Sequence, residues 1–345
     1  MASTAITPLR SLMFSYEFKR LDFSTDQAEM PVLLKSASGD VLLSESYNPD
    51  RYGNITLWDL DTEVSAYIGD APYASFTLTV DGNLMATIKV LRCNVAYDVS
   101  AETFCTGHFL TAWEGVRRTS VGRYECLSFY ASSVVAVTAA VSWMDASGGL
   151  IRETVTVRAA DYAAGTVVMV DVSPGRFVRS GRTLAGYRID CGARSVRYRV
   201  DYPAIEAEPS MIFRNRFFVW ETVHFEGTRS SAPSYTREAA WINGQYVNYD
   251  IEEVKSYTAM TAPLPLGAEE VIEDLARSRT VHLLDSTGAA RDLVTVTEVD
   301  AKATNDLNAL NVLSVTYRLA DRITAKSYIG ARAKIFDNTY DTSYE

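Results

Sequence analysis

The chain has 345 residues, enough for two or three domains, and a hydrophobic share of 47 % that supports true cores. Its formal net charge of −10 argues against a broad basic surface for nucleic acid. Its 20 tyrosines, with frequent Val, Thr and Ser, suit pleated, half-buried surfaces and lead us to expect a mainly β chain.

Taken in order, the first unit (residues 1–118) is expected to be a β domain with a short helix. Residues 12–18, 31–35 and 41–46 have strand character, and Ser38-Gly39-Asp40 turns between the last two. After a loop over 47–54, an extended 55–58 leads into a helix. Asp61 would cap it, Val64, Tyr67 and Ile68 share a face, and Gly69 closes it. Residues 74–80 and 84–91 flank Asp81-Gly82-Asn83, a hairpin signal. A further strand is expected over 103–113.

The second unit (119–205) reads as a small Ig-like sandwich. Six strand-like runs, 123–130, 134–143, 150–157, 166–172, 184–191 and 195–202, are joined by short Gly- and Pro-bearing turns. The acidic, proline-containing connector 201–210 marks the boundary to the third unit.

The third unit (206–325) opens on MIFRNRFFVWETVHFE, residues 211–226, the densest aromatic run of the chain. Both of its alternating faces carry bulk. One buried strand is therefore expected, one face packing in its own domain and the other against the second domain or another subunit. Strands at 234–242 and 246–260 follow around Asn243-Gly244, a hairpin turn. The helix 268–277 has an apolar stripe of Val271, Ile272, Leu275 and Ala276, with acids in its first turn and Arg277 in its last. Strands at 280–284, 292–299 and 311–319 complete the unit, and 326–345 is an extended tail. The fold class expected is thus mainly β: three consecutive β-sandwich-like units, the last with one α-helix packed on its sheet.

Candidate chemistry is sparse. His108, His224 and His282 are far apart in sequence and sit in strand-like patterns. A His/Ser/Asp triad could assemble only in space, and no GxSxG elbow supports one. The carboxylates Glu269, Glu270, Glu273 and Asp274 lie where a solvated helix face lies. Asn48, Asp50 and Asn54, or Asp337, Asn338 and Asp341, could form calcium loops but read better as turns. Tyr47, Tyr52, Trp58, Tyr67, Trp113 and Trp241 could form a sugar-stacking platform, although strand aromatics more often serve core or interface. Arg176, Arg179 and Arg182, and Arg188, Arg194, Arg197 and Arg199, fit solvent faces or carboxylate pairs better than an anion site. Cys93, Cys105, Cys126 and Cys191 form no metal-ligand spacing. With no secretory h-region and no apolar run of roughly 20 residues, free reduced thiols and assembly in a cytoplasm are expected. No catalytic, cofactor-binding or metal-ligating residue is assigned, and neither a nucleic acid nor a membrane is expected as a partner.

Three stretches carry a resemblance: YGNITLWDLDTEVSAYIG, FRNRFFVWETVHFEG and RTVHLLDSTGAARDLVTVTEVDAKATNDLNALNVLSVTYRLAD. In their order of elements they resemble the tail and baseplate-type structural proteins encoded in prophage regions of gut bacteria. The resemblance implies a non-enzymatic virion subunit whose partners are other copies of itself or other tail proteins. It carries no site residue. The alternative is a carbohydrate- or protein-binding module, adhesin-like, that meets a host-surface glycan or protein. Tyr328, Ile329, Ile335, Phe336, Tyr340 and Tyr344 of the tail would dock on a neighbour.

Overall fold

The computed structural model describes residues 3–113, 115–201, 209–242, 245–264, 267–285, 287–302 and 311–320. Within them the chain is mainly β, in several sheets, as expected from its composition.

The first unit holds β1 (Thr4–Ala5), β2 (Leu12–Phe14), β3 (Arg20–Ser24), β4 (Met30–Ser36), β5 (Val41–Tyr47), β6 (Asn54–Trp58), α1 (Leu60–Ile68), β7 (Tyr73–Val80), β8 (Asn83–Leu91) and α2 (Ala101–Gly107). A five-stranded sheet in the order β2-β8-β7-β4-β5 accompanies a three-stranded sheet, β1-β3-β6. Alternate residues of β4, Met30, Val32 and Leu34, are buried with Phe76, Leu78 and Ile88 from its neighbours. Asp81 and Gly82 both have positive φ, 51° and 74°, the backbone that a two-residue turn needs to match strand twist. In α1, Val64 and Ile68 are buried, while the Tyr67 hydroxyl turns out to donate to Asp40 Oδ2 at 2.8 Å. The helix begins earlier than its expected cap: Asp59, at φ 60°, precedes Leu60.

The strand expected over 103–113 is not there. Ala101–Gly107 is helical, started by Ser100, whose hydroxyl accepts from Thr103 N at 3.4 Å. Ala101, Phe104 and Cys105 are buried at helical spacing, which overrides the extended preference of the threonines.

The second unit contains all six expected strands, with one more before them. These are β9 (Val116–Thr119), β10 (Cys126–Ala131), β11 (Val137–Asp145), β12 (Leu150–Arg158), β13 (Thr166–Asp171), β14 (Arg182–Cys191) and β15 (Arg194–Val200). The sheet β12-β11-β14-β15-β9 packs over the pair β10-β13. The extra strand β9 lies parallel to β15, so this sheet begins at Val116. Trp143 is fully buried at its centre, and its indole N–H donates to the Phe177 carbonyl at 2.7 Å.

The third unit is one sheet of seven strands: β16 (Ser210–Arg214), β17 (Trp220–His224), β18 (Arg229–Ile242), β19 (Gln245–Met260), β20 (Val281–Leu284), β21 (Ala290–Asp300) and β22 (Ser314–Leu319), in the order β17-β16-β20-β21-β22-β19-β18. The helix α3 (Glu269–Arg277) lies on it, with Val271, Ile272 and Leu275 of the expected stripe buried, while Ala276 is exposed and Asp274 is buried instead. The single aromatic strand expected over 211–226 is two antiparallel strands, with Ser210 opposite His224 and Arg214 opposite Trp220. The chain reverses at Asn215–Val219, where Phe218 N donates to Asn215 O at 2.8 Å. Most of the connector 201–210, the Asn243-Gly244 turn and the tail with its expected docking residues lie outside the described residues.

The reversal is what joins the units. Met211, Phe213, Val223 and Phe225 go into the third unit's own core. Phe217 and Val219 go the other way, into a separate core with Leu12, Phe14 and Leu91 of the first unit's sheet, Phe104 of α2 and Tyr130 of the sandwich. The Phe217 ring stacks on Tyr97 at 5.8 Å between centroids and lies 5.3 Å from Phe104 and 6.0 Å from Phe14. The two-sided bulk that suggested one strand facing two partners comes from two strands that fill the third unit's core and a turn that sends Phe217 and Val219 to the other side. Phe217→Ala should lower stability by about 3–5 kcal/mol in urea denaturation, the range for a fully buried aromatic truncated in place. A loss under about 1 kcal/mol would show that the junction repacks without this ring.

Candidate functional site

Buried charges are the most unusual feature of the junction. Arg117 on β9 and Glu221 on β17 are 4 % and 3 % exposed in their side chains, and Arg117 Nη2 reaches Glu221 Oε1 at 2.8 Å. Thr111 joins both, and Asn215 Nδ2 donates to the second Glu221 oxygen at 2.7 Å. Burial alone would lower the Arg117 pKa, but the surrounding Tyr198, Glu221 and Glu125 raise it, so the guanidinium stays charged.

Beside this pair runs a Ser–His–Glu line. The Ser210 hydroxyl meets His224 Nδ1 at 2.7 Å, and His224 Nε2 meets Glu125 Oε1 at 3.0 Å. Thr222 donates to the other Glu125 oxygen at 3.1 Å. Desolvation pushes the Glu125 carboxyl up; His224 and then Arg117 outweigh it and hold the group below the usual carboxylate value. The order of groups is that of a hydrolase triad, but the ring is turned round, with the carboxylate on Nε2 and the serine on Nδ1. A cavity of about 50 Å3 between Trp113, Leu264 and the two charged strands touches Glu125 and His224 but not Ser210. A nucleophile needs room for a carbonyl and donors for its oxyanion. This cavity supplies neither beside Ser210, and the line ties β10 of the sandwich to β16 and β17.

His224 is thus the one histidine of the three with an acid–base partner. His108 caps α2 and stacks on Phe104, and His282 lies edge-on to Trp220. The sequence signal for the missed residues is slight: Glu125 directly precedes the apolar β10, Arg117 shares β9 with a second arginine, and Glu221 lies in a mixed strand.

The other candidates disperse. Asp274 is buried and takes Arg216 Nε on both oxygens at 3.0 and 2.8 Å; Glu270 pairs with Arg216 and Glu273 with Arg277. These carboxylates hold a turn, and only part of that helix face is solvated. The Asp50 carboxylate accepts from the Tyr52 and Asn54 amides, both at 2.8 Å, which is a turn. Among the described residues no group of three His, Cys, Asp or Glu side chains could hold a metal ion; Asp337, Asn338 and Asp341 lie outside them. No two of the six candidate platform rings stack on one another among the described residues; Trp241 instead meets Tyr246 edge-on at 4.9 Å. Arg176, Arg182, Arg188 and Arg199 pair with carboxylates as expected. Arg194 does not: it is buried and donates to the Cys105 and Tyr130 carbonyls, pinning α2 to the sandwich. All four cysteines are free and buried, and burial pushes Cys93 and Cys105 up to about 12.

The largest exposed feature is an arm. β22 pairs with β19 only from Tyr257 to Met260, so roughly a dozen residues of β19 and their β18 partners stand clear of the sheet. At about 3.4 Å per residue this hairpin projects roughly 40 Å. It carries Tyr235, Trp241, Tyr246 and Ile251, each more than half exposed, up to 76 % at Tyr246. The register places Tyr235 and Arg237 on the face that holds buried Tyr257 at the base, so the core face of the sheet continues uncovered along the arm.

No protein-family model matches the chain, and no curated protein matches it. Among solved structures it is similar to one from work on host cell surface retention of a 1.5-MDa bacterial ice-binding adhesin. That likeness has 10 % identity and covers 73 % of this chain and 88 % of the other, with a TM-score of 0.16, too low to carry an argument. No helix among the described residues is long and apolar enough to cross a membrane.

The Glu125 pair makes acid sensitivity testable. A carboxyl held low in the folded state contributes stability above its unfolded value and loses it as pH falls through the folded one. Glu125→Gln should therefore cost about 3–5 kcal/mol at neutral pH, because it strands a buried partner. It should also flatten the fall in urea midpoint below about pH 4.5. Parallel midpoint-versus-pH curves for the two proteins would exclude Glu125 as a source of acid lability.

Proposed function

We propose that the chain is a structural subunit that works by assembly, and that the β18–β19 arm is its principal docking element. The observation that carries this reading is the arm's uncovered face, where Tyr235, Trp241, Tyr246 and Ile251 are exposed among Arg237, Glu253 and Lys255. A two-stranded hairpin is marginal in water on its own. Among the described residues this one has both edges unpaired beyond the sheet, and it places its largest rings at the tip. Unpaired edges and exposed aromatic rows are what a neighbouring chain covers. Assembly through sheet edges also fits the way the units are joined, by buried ion pairs and a shared aromatic core. In its finer form the proposal is a virion component, a tail or tail-tip subunit, with partners that are copies of itself or other tail proteins.

The same tip could serve a receptor-binding module, since exposed Trp and Tyr are favoured at interfaces. The two readings differ in what covers the arm, another subunit or a host-surface protein or glycan.

Sedimentation velocity of the full chain tests the first. Trp241→Ser with Tyr246→Ser should leave unfolding within about 0.5 kcal/mol of the original, as for exposed positions. It should weaken self-association, or incorporation into particles, at least about tenfold, the equivalent of 1.4 kcal/mol. A double variant that assembles like the parent would remove the arm from the interface. A parent that stays monomeric and is not taken into particles, but whose arm binds a surface glycan or protein, would favour the second reading.

A further inference from the structure

On the far side of the Asn215–Val219 reversal, five arginines line a second cavity, of about 270 Å3, between the first and third units. They divide into two groups. Arg216 and Arg277 are neutralised by Asp274, Glu270 and Glu273. Arg92, Arg214 and Arg279 make no ion pair among the described residues, and Asp70 is the one remaining carboxylate of the lining. Three guanidiniums against one carboxylate, in a chain of net charge −10, form a local reversal of sign.

Two of the three are fixed in place. The Arg92 guanidinium lies over the Phe218 ring at 3.5 Å, and its Nε is buried without a hydrogen-bond partner. Arg214 lies over Trp220 at 3.9 Å and donates to the Phe218 carbonyl at 3.0 Å. Phe218 itself has φ 57°, a left-handed conformation rare for a bulky residue. The strain is what lets one residue present its ring to Arg92 and its carbonyl to Arg214. Burial lowers the pKa of both arginines; Asp70 offsets part of this at each, and Arg279 adds a smaller lowering at Arg92. Fixed, partly desolvated guanidiniums that share a single carboxylate, Asp70, and pair directly with none are costly unless an anion completes them.

We propose that this cavity binds a small phosphate-bearing anion, held by Arg92, Arg214 and Arg279. A planar carboxylate is satisfied by one guanidinium fork, whereas a tetrahedral phosphate offers acceptors to several at once. The volume lies just below the usual range for ligand pockets of about 300–1,000 Å3, which fits a pyrophosphate or a small phosphate ester and excludes a long polymer. The proposal is independent of the assembly reading: the cavity lies at the junction of the units and the arm plays no part in it.

Calorimetric titration of the full chain with pyrophosphate, with citrate as a carboxylate control and sodium chloride matching ionic strength, tests it. Pyrophosphate should bind more tightly than citrate and raise the unfolding midpoint in proportion to its occupancy. Arg279→Gln, at an exposed position that folding does not require, should weaken binding at least about tenfold. Asp70→Asn, which removes the opposing charge, should tighten it several-fold, an outcome that a misfolded variant could not give. Arg188→Gln, on the sandwich, should change nothing. No heat beyond the chloride control, citrate bound as tightly as pyrophosphate, or equal affinity in Arg279→Gln and Asp70→Asn would each overturn the assignment.

Discussion

One buried amide holds the reversal on which the rest of the arrangement depends. Asn215 Oδ1 accepts from the Phe217 and Val219 amides, at 3.0 and 3.4 Å, and its Nδ2 donates to the Leu110 carbonyl and to Glu221, at 2.8 and 2.7 Å. The oxygen takes two amides of the turn itself, and the two amide hydrogens go to two other segments. The turn is therefore closed from within, tied to the segment after α2, and tied to the Arg117–Glu221 pair. On either side of it, Arg216 is drawn toward α3 by Asp274 and Phe217 toward the first unit. No aliphatic residue could replace Asn215 without leaving buried backbone donors unmet, and each of those costs about 1–3 kcal/mol.

This explains why polar groups occupy the place where three units meet. An apolar junction of the same area would be easier to fold but would not fix orientation, because packed surfaces tolerate repacking. Ion pairs and hydrogen-bond chains buried at the junction do fix it. The Ser210–His224–Glu125 line, the Arg117–Glu221 pair and the Arg123–Glu226 pair at 2.6 Å all cross from the sandwich or β9 to β17 and its end. Each costs desolvation, so their common purpose is alignment more than stability. A rigid junction is what allows a projecting hairpin to meet a partner at a defined angle.

Much of this architecture was legible in the sequence, and the unread parts share a cause. The helix α3 followed from Val271, Ile272 and Leu275 at helical spacing, and the β7–β8 hairpin from Asp81-Gly82, because both are settled by neighbours in the chain. The sandwich strands followed from their even spacing and turn residues. The helix α2 was missed because Phe104 and Cys105 are held by a core that includes Phe217, more than a hundred residues later. The reversal at Asn215 was missed for a related reason. FRNRFFVW has no glycine or proline to mark a turn; an asparagine amide and a left-handed Phe218 make it, and both depend on partners from other units.

The same reasoning separates the two halves of the aromatic run in what they do. Residues that face the third unit's sheet, Met211, Phe213, Val223 and Phe225, are core and would be replaceable by other apolar residues of similar volume. Those in and beside the reversal are not. Phe217 is shaped to the rings of Phe14, Tyr97 and Phe104, and Phe218 is held at a strained backbone angle beneath Arg92. Relieving that strain with glycine would stabilise the turn locally while removing the ring on which Arg92 rests. The Phe218 ring and carbonyl thus position two arginines, Arg92 and Arg214, at the cost of a strained backbone.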